Sequence, residues 1–263
     1  MGKPFSVKDY RPWLYFGLTF LWSWAFLLPP VFLGLAADAF PVAILRALAG
    51  AGPMLVTLFL LFTRLTRIQR SEYGERLFSF LRIRPVWWIV TLLGVPAITL
   101  LAAGLDWLLG GSGLKLEAAA RFVESPLSIV PFGLFILAFG PFPEEMGWRG
   151  YALPGLQASM APVAASLLLG TTWALWHLPL FFIPGTYQAG LGVLTPAFWW
   201  FMLGMIPQSV LITWVFNHCH GSTLSAVLLH FSTNLTGESF ALSARGDLFS
   251  FLLWCLIATL TVL

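Results

Sequence analysis

The chain has 263 residues, of which 59% are hydrophobic and 16% aromatic but only 10% charged, with a formal net charge of +3. A soluble chain of this length needs a far more polar surface to cover its core, and the small positive balance is no nucleic-acid footprint, so both classes are excluded. Several apolar runs reach the roughly 20 residues that cross a bilayer, and an all-α, multi-pass transmembrane helical bundle is expected.

Residues 1–12 carry Lys3, Lys8, Asp9 and Arg11 and lead into the apolar run 13–36. That run exceeds the roughly 7 to 15 residues of a signal-peptide core, so it reads as a retained span kinked at Pro29-Pro30, although Ala37-Asp38-Ala39 resembles a cleavage site. Residues 1–6 fit a loose myristoylation pattern, which reads as coincidence on a protein already held by several spans. A second span covers 41–62, with Arg46 near its outer end, where the long stem can snorkel to the interface.

The polar stretch that follows holds Arg64, Arg67, Arg70, Arg76, Arg82 and Arg84 against Glu72 and Glu75. It reads as a cytoplasmic topology determinant rather than an amphipathic helix that meets substrate or lipid. Span three is 86–109, with Asp106 near its far end, and a Gly-rich loop with Lys115, Glu117, Arg121 and Glu124 follows. Span four starts near Pro126 and is expected to continue irregularly past Pro141, Pro143 and Glu144 to about Leu153, because neighbours in a membrane bundle can satisfy carbonyls that proline frees. The remaining spans are 162–183, 197–216, 222–236 and 248–263; the last stops without a polar flank, as a trimmed C-terminus would.

That makes about eight crossings in a single integral-membrane domain, 1–263, with a motif-bearing core at about 126–236. Lys3, Lys8, Arg11, the six loop arginines and Arg149 then fall on the side of the termini, against Lys115, Arg121 and Arg245 opposite. Basic residues accumulate in cytoplasmic loops, so both termini are expected in the cytoplasm. Cys219 and Cys255 lie in a short connection and in an apolar run, which does not suggest a disulfide framework.

Glu144 and Glu145 are neighbours at the end of a long apolar run, and ionisable groups at such depth are candidates for function. Glu145 and Arg149 stand four apart, the favourable order for an ion pair on one helix face, while Glu144 points about 100° away. Arg149 is therefore expected to neutralise Glu145 and leave Glu144 for other helices. Those helices bring His177, one turn after Trp173 and just before Pro179, and His230, which shares a face with Asn234. Glu144, His177, His230 and Asn234 are expected to meet in one intramembrane pocket open to the cytoplasm. His218-Cys219-His220 also invites a metal, but at an interface solvated polar residues are ordinary.

Three motifs in order resemble the CAAX-protease and bacteriocin-processing family, also called the Abi family, of intramembrane proteases. Glu144-Glu145-x-x-x-Arg149 is similar to its first motif, His177 to the residue closing the second, and His230-x-x-x-Asn234 to the third. Trp173 stands where the second motif more often has Phe. The resemblance implies an intramembrane endopeptidase cutting a membrane-anchored substrate, such as a prenylated tail or a leader peptide, near the cytoplasmic face. By the same resemblance Glu144 activates water with help from His177, His230 and Asn234 stabilise the oxyanion, and Arg149 holds Glu145. Two chemistries stay open: a metal-free glutamate mechanism, or a catalytic zinc held by Glu144, His177 and His230. Intramembrane Glu, His and Arg also build transporters, though no internal repeat supports one, and a non-catalytic immunity or binding protein would keep the same motifs.

Overall fold

The computed structural model describes residues 9–263, so Lys3, Lys8 and the pattern at 1–6 lie outside the described residues. The chain is an all-α, multi-pass helical bundle. Its helices are α1 (Pro12–Leu33), α2 (Phe40–Gly50), α3 (Gly52–Arg64), α4 (Arg67–Phe78), α5 (Pro85–Leu108), α6 (Glu117–Glu124) and α7 (Ile129–Phe139). There follow α8 (Pro141–Gly147), a π-helical turn (Trp148–Ala152), α9 (Leu153–Gln157), α10 (Pro162–His177), α11 (Tyr187–Leu191), α12 (Pro196–His218), α13 (Thr223–Ser239) and α14 (Ala244–Val262).

Among the described residues, six stretches are long and apolar enough to cross a membrane, and a seventh arises if the bent pair α2 and α3 is counted as one span. The expected count of eight also included α13, which is 17 residues long and rich in Ser and Thr. It packs against α5, α8 and α12, and about half of its residues are buried there. The second span is not straight: α2 and α3 meet at 43°. Ala51, Gly52 and Pro53 form the break, and a Cβ on Gly52 would run into Ser23 Oγ, which itself donates to Ala49 O at 2.7 Å. α1 carries Pro29 and Pro30 in its last turns and ends on Gly34, whose φ of 61° closes the helix in the left-handed conformation.

Small residues bring the central helices together. A Cβ on Gly170 of α10 would lie 2.9 Å from Ile206 Cα of α12, and Ser209 Oγ donates to Ser166 O at 2.9 Å across the same contact. Close approach of this kind, rather than hydrophobicity, drives helix association in lipid. At the far end of α5, Asp106 is 1% exposed. It accepts from Arg245 Nε at 2.7 Å, Ser243 Oγ at 2.9 Å and the Gly113 backbone N–H at 3.0 Å, which ties the start of α14 to α5.

The arginine-rich segment is also built into the bundle. Thr66 and Gln69 form a capping box that starts α4, and the helix lies against α13 and the π turn instead of standing free. Asp9 accepts from Gln69 Nε2 at 3.0 Å and Tyr10 accepts from Arg76 at 3.2 Å, so the segment before α1 is fastened to α4.

Candidate active site

Span four breaks at Gly140, whose φ of −138° and ψ of −93° are not helical. Pro141 and Pro143 then occupy the first turn of α8, where a missing N–H costs nothing, so the prolines begin a new helix instead of interrupting an old one. A side chain at Gly140 would meet the Asn234 amide nitrogen at 3.2 Å, which places half-buried Asn234 at this break.

The π turn follows α8 directly. Such turns add one residue to the helical repeat and disturb its carbonyl pairing. Here two carbonyls are met by α4: Tyr73 Oη donates to Met146 O at 2.7 Å and Arg76 Nη2 donates to Gly150 O at 2.9 Å. Burial pushes Tyr10 up to about 12 and Tyr73 further, so both phenols keep their protons at ordinary pH and Tyr73 remains a donor. The glycines of the segment make room for these partners. A Cβ on Gly150 would lie 2.9 Å from Tyr73 Oη, and one on Gly147 would collide with Tyr15 Oη.

On this frame Glu145 and Arg149 are both fully buried, and Arg149 Nη1 donates to Glu145 Oε1 at 2.7 Å, the i to i+4 pair expected. The same oxygen lies 3.0 Å from His230 Nδ1, so His230 is engaged with Glu145, a contact that the motif spacing did not suggest. Glu144 points elsewhere. Its Oε2 accepts from the Trp173 indole N–H at 2.7 Å, and it keeps 7% of its surface exposed.

Trp173 is the centre of the cluster. Its backbone oxygen lies 2.9 Å from His177 Nδ1; a carbonyl only accepts, so that nitrogen carries the proton and Nε2 is left with its lone pair. Its ring meets His177 and His230 edge to face at 5.9 and 5.0 Å, and Arg149 Cζ lies over it at 5.2 Å. Glu144, His177 and His230 therefore all touch one indole. His177 is 8% exposed and His230 4%, so access to them is narrow. Two apolar cavities lie elsewhere: one of about 420 Å³ between α1 and α3, and one of about 750 Å³ among α5, α6, α7 and α13.

No three His, Cys, Asp or Glu side chains among the described residues gather in a set that could hold a metal ion. Of the residues named for a possible zinc, Glu144 engages the Trp173 indole through Oε2, and His177 and His230 engage the Trp173 carbonyl and Glu145 through Nδ1. His218 and His220 are separated too: His218 Nδ1 bonds Trp214 O at 2.8 Å, while His220 offers its carbonyl to Arg82.

Comparison with known proteins bears on what this cluster does. A family model described as type II CAAX prenyl endopeptidase, Rce1-like, matches residues 126–236. Over 242 residues the chain is 30% identical to CAAX prenyl protease 2 of Methanococcus maripaludis, covering 90% of this chain and 88% of that protein. The chain belongs to the CAAX-protease and bacteriocin-processing family. It is an integral membrane protein and a peptidase, an intramembrane endopeptidase. The motif glutamates, histidines and Asn234 are supported by Trp173, at a position of the second motif, and by three residues that the motifs do not name: Gly140, Tyr73 and Arg76. Of these, Trp173 was visible in the sequence as an aromatic exchange for the more usual Phe, and its role as a donor to Glu144 appears only in the structure. Arg76 was hidden in an arginine run that topology alone accounts for.

Proposed function

We propose that this peptidase cleaves a lipidated or otherwise membrane-anchored peptide from the cytoplasmic side, with Glu144 as general base in a metal-free mechanism. The observation that carries it is the difference between the two adjacent glutamates. Glu145 is fully buried and held by Arg149 and His230, while Glu144 uses one oxygen for Trp173 and keeps the other free of protein hydrogen bonds among the described residues. A water held between Glu144 Oε1 and the lone pair of His177 Nε2 is polarised from two sides.

In the first step the water oxygen bonds to the scissile carbonyl carbon and its proton passes to Glu144. The carbonyl π electrons move onto oxygen, where Asn234 and the His230 ring, held by Glu145, stabilise the charge. Preorganised donors of this kind contribute about 3 to 4 kcal/mol each in well-studied cases. Collapse re-forms the carbonyl and breaks the C–N bond, and the proton on Glu144 passes to the leaving amine, which regenerates the carboxylate. Arg149 holds Glu145 in place throughout. The residues 126–236 form the core of this machinery within one membrane domain.

Cytoplasmic access is supported by the position of α4. Its arginines, the segment before α1 and the π turn share one end of the bundle. α5 leaves that end and α14, tied to its far end through Asp106 and Arg245, returns alongside it. The first described residues, from Asp9, and the end of α14 then share the arginine-rich side, which supports a cytoplasmic placement of that side. Purified protein in vesicles, offered one peptide sequence with and without a farnesyl-type chain or a membrane anchor, tests the substrate class. Cleavage only of the anchored forms is expected, and equal cleavage of the free peptide contradicts it. Loss of that cleavage in His177→Ala, with metal content and chelator sensitivity measured beside it, tests the metal-free mechanism.

A further inference from the structure

We infer that Trp173 is a positioning residue for the reaction, one whose indole N–H holds a single oxygen of Glu144 so that the other faces the water; this rests on Glu144 acting as the base. The indole is itself immobilised from every side. It is 2% exposed, Arg149 lies over its face, His230 and His177 meet it edge to face, and its own backbone carbonyl holds the His177 ring. A two-torsion side chain fixed in this way has one direction in which to donate, and it donates to Glu144 Oε2 at 2.7 Å. Indole N–H is a donor only, so the contact also distinguishes the two carboxylate oxygens: Oε2 is occupied whether or not substrate is present.

The consequences follow from geometry. Glu144 sits in the short helix α8, just after the break at Gly140, and among the described residues it makes no other side-chain hydrogen bond. Without the indole proton its carboxylate is free to rotate about its last torsions, and misplacement of a base by about 1 Å costs on the order of a hundredfold in rate. Trp173 also links the base to the oxyanion side, because the ring that holds Glu144 packs against His230, and its carbonyl sets the tautomer of His177. Phenylalanine at 173 keeps most of the packing and the carbonyl but loses the donor.

The test uses the full chain in detergent or vesicles with a membrane-anchored peptide that the native protein cleaves. Trp173→Phe is expected to lower kcat about tenfold or more while KM stays within about twofold, since the lost contact acts on the base and not on substrate binding. Replacement of Trp173 by 3-benzothienylalanine, which puts sulfur in place of the N–H in nearly the same shape, should give the same loss and avoids the repacking that Phe requires. As a spectroscopic readout, the indole proton of Trp173 in selectively labelled protein should resonate downfield and move upfield in Glu144→Ala. Native kcat in the benzothienyl variant, or an indole resonance indifferent to Glu144→Ala, overturns the proposal. If Glu144→Ala itself cleaves at the native rate, the reading of Glu144 as base fails first; if it is inactive and the benzothienyl variant is fully active, only the role of Trp173 fails.

Discussion

The pair Glu145 and Arg149 lends itself to a double-mutant cycle. Both side chains are fully buried, their contact is 2.7 Å, and Glu145 Oε2 has no hydrogen-bond partner among the described residues. Arg149→Met keeps the apolar stem but strands a carboxylate whose remaining partner is His230, and breaking a buried pair from one side costs about 3–5 kcal/mol. Glu145→Gln strands the guanidinium in turn, which still lies over Trp173. The double variant removes both charges and leaves the Gln oxygen to accept from His230, so it should recover about 1–3 kcal/mol relative to the sum of the singles. Interhelical hydrogen bonds in membranes couple by only about 0.6 kcal/mol on average, so a coupling well above that reports the charges themselves. Equilibrium unfolding in mixed micelles, followed by far-ultraviolet circular dichroism, measures all four corners. Additive costs, or an Arg149→Met variant as stable as the native protein, would refute the reasoning.

Other expectations follow from the same geometry. Tyr73→Phe leaves Met146 O without its donor at 2.7 Å and should destabilise by about 1–3 kcal/mol, read as an earlier unfolding midpoint with reduced cleavage. Gly150→Ala forces a methyl within 2.9 Å of Tyr73 Oη and should cost about 1–3 kcal/mol; combining it with Tyr73→Phe should add less than the two single costs, and full additivity would contradict the steric reading. Asp106→Asn loses the charge that meets Arg245 at 2.7 Å far from the cluster, so thermal stability should fall while kcat per folded molecule stays native.

Much of the site was legible because its chemistry is costly. Glu144, Glu145, Arg149, His177 and His230 stood out as ionisable groups in apolar runs, and helical spacing alone paired Glu145 with Arg149. What one-dimensional spacing does not hold is which residue on another helix a side chain meets. His230 reaching Glu145 and Trp173 reaching Glu144 are contacts 85 and 29 residues apart. Arg76 was read as one of six topology arginines because a buried arginine and a snorkelling one look alike until the acceptor, here Gly150 O, is in view. The count of spans turned on α13, which is 17 residues long, rich in Ser and Thr and largely covered by neighbouring helices, so apolarity alone does not mark it as a span. The prolines at 141 and 143 were assigned to an interruption because the break at Gly140 that precedes them leaves no hydrophobic signature.

Single-turnover cleavage by Glu144→Gln tests the role of Glu144 most directly, because glutamine keeps the size and an oxygen for the Trp173 N–H but takes no proton from water. With an anchored peptide bound at saturation and metal content measured on the same sample, the rate should fall by about 10²–10⁴-fold while peptide affinity and folding stay native. A Glu144→Gln protein that cleaves within a few-fold of the native rate would contradict the mechanism.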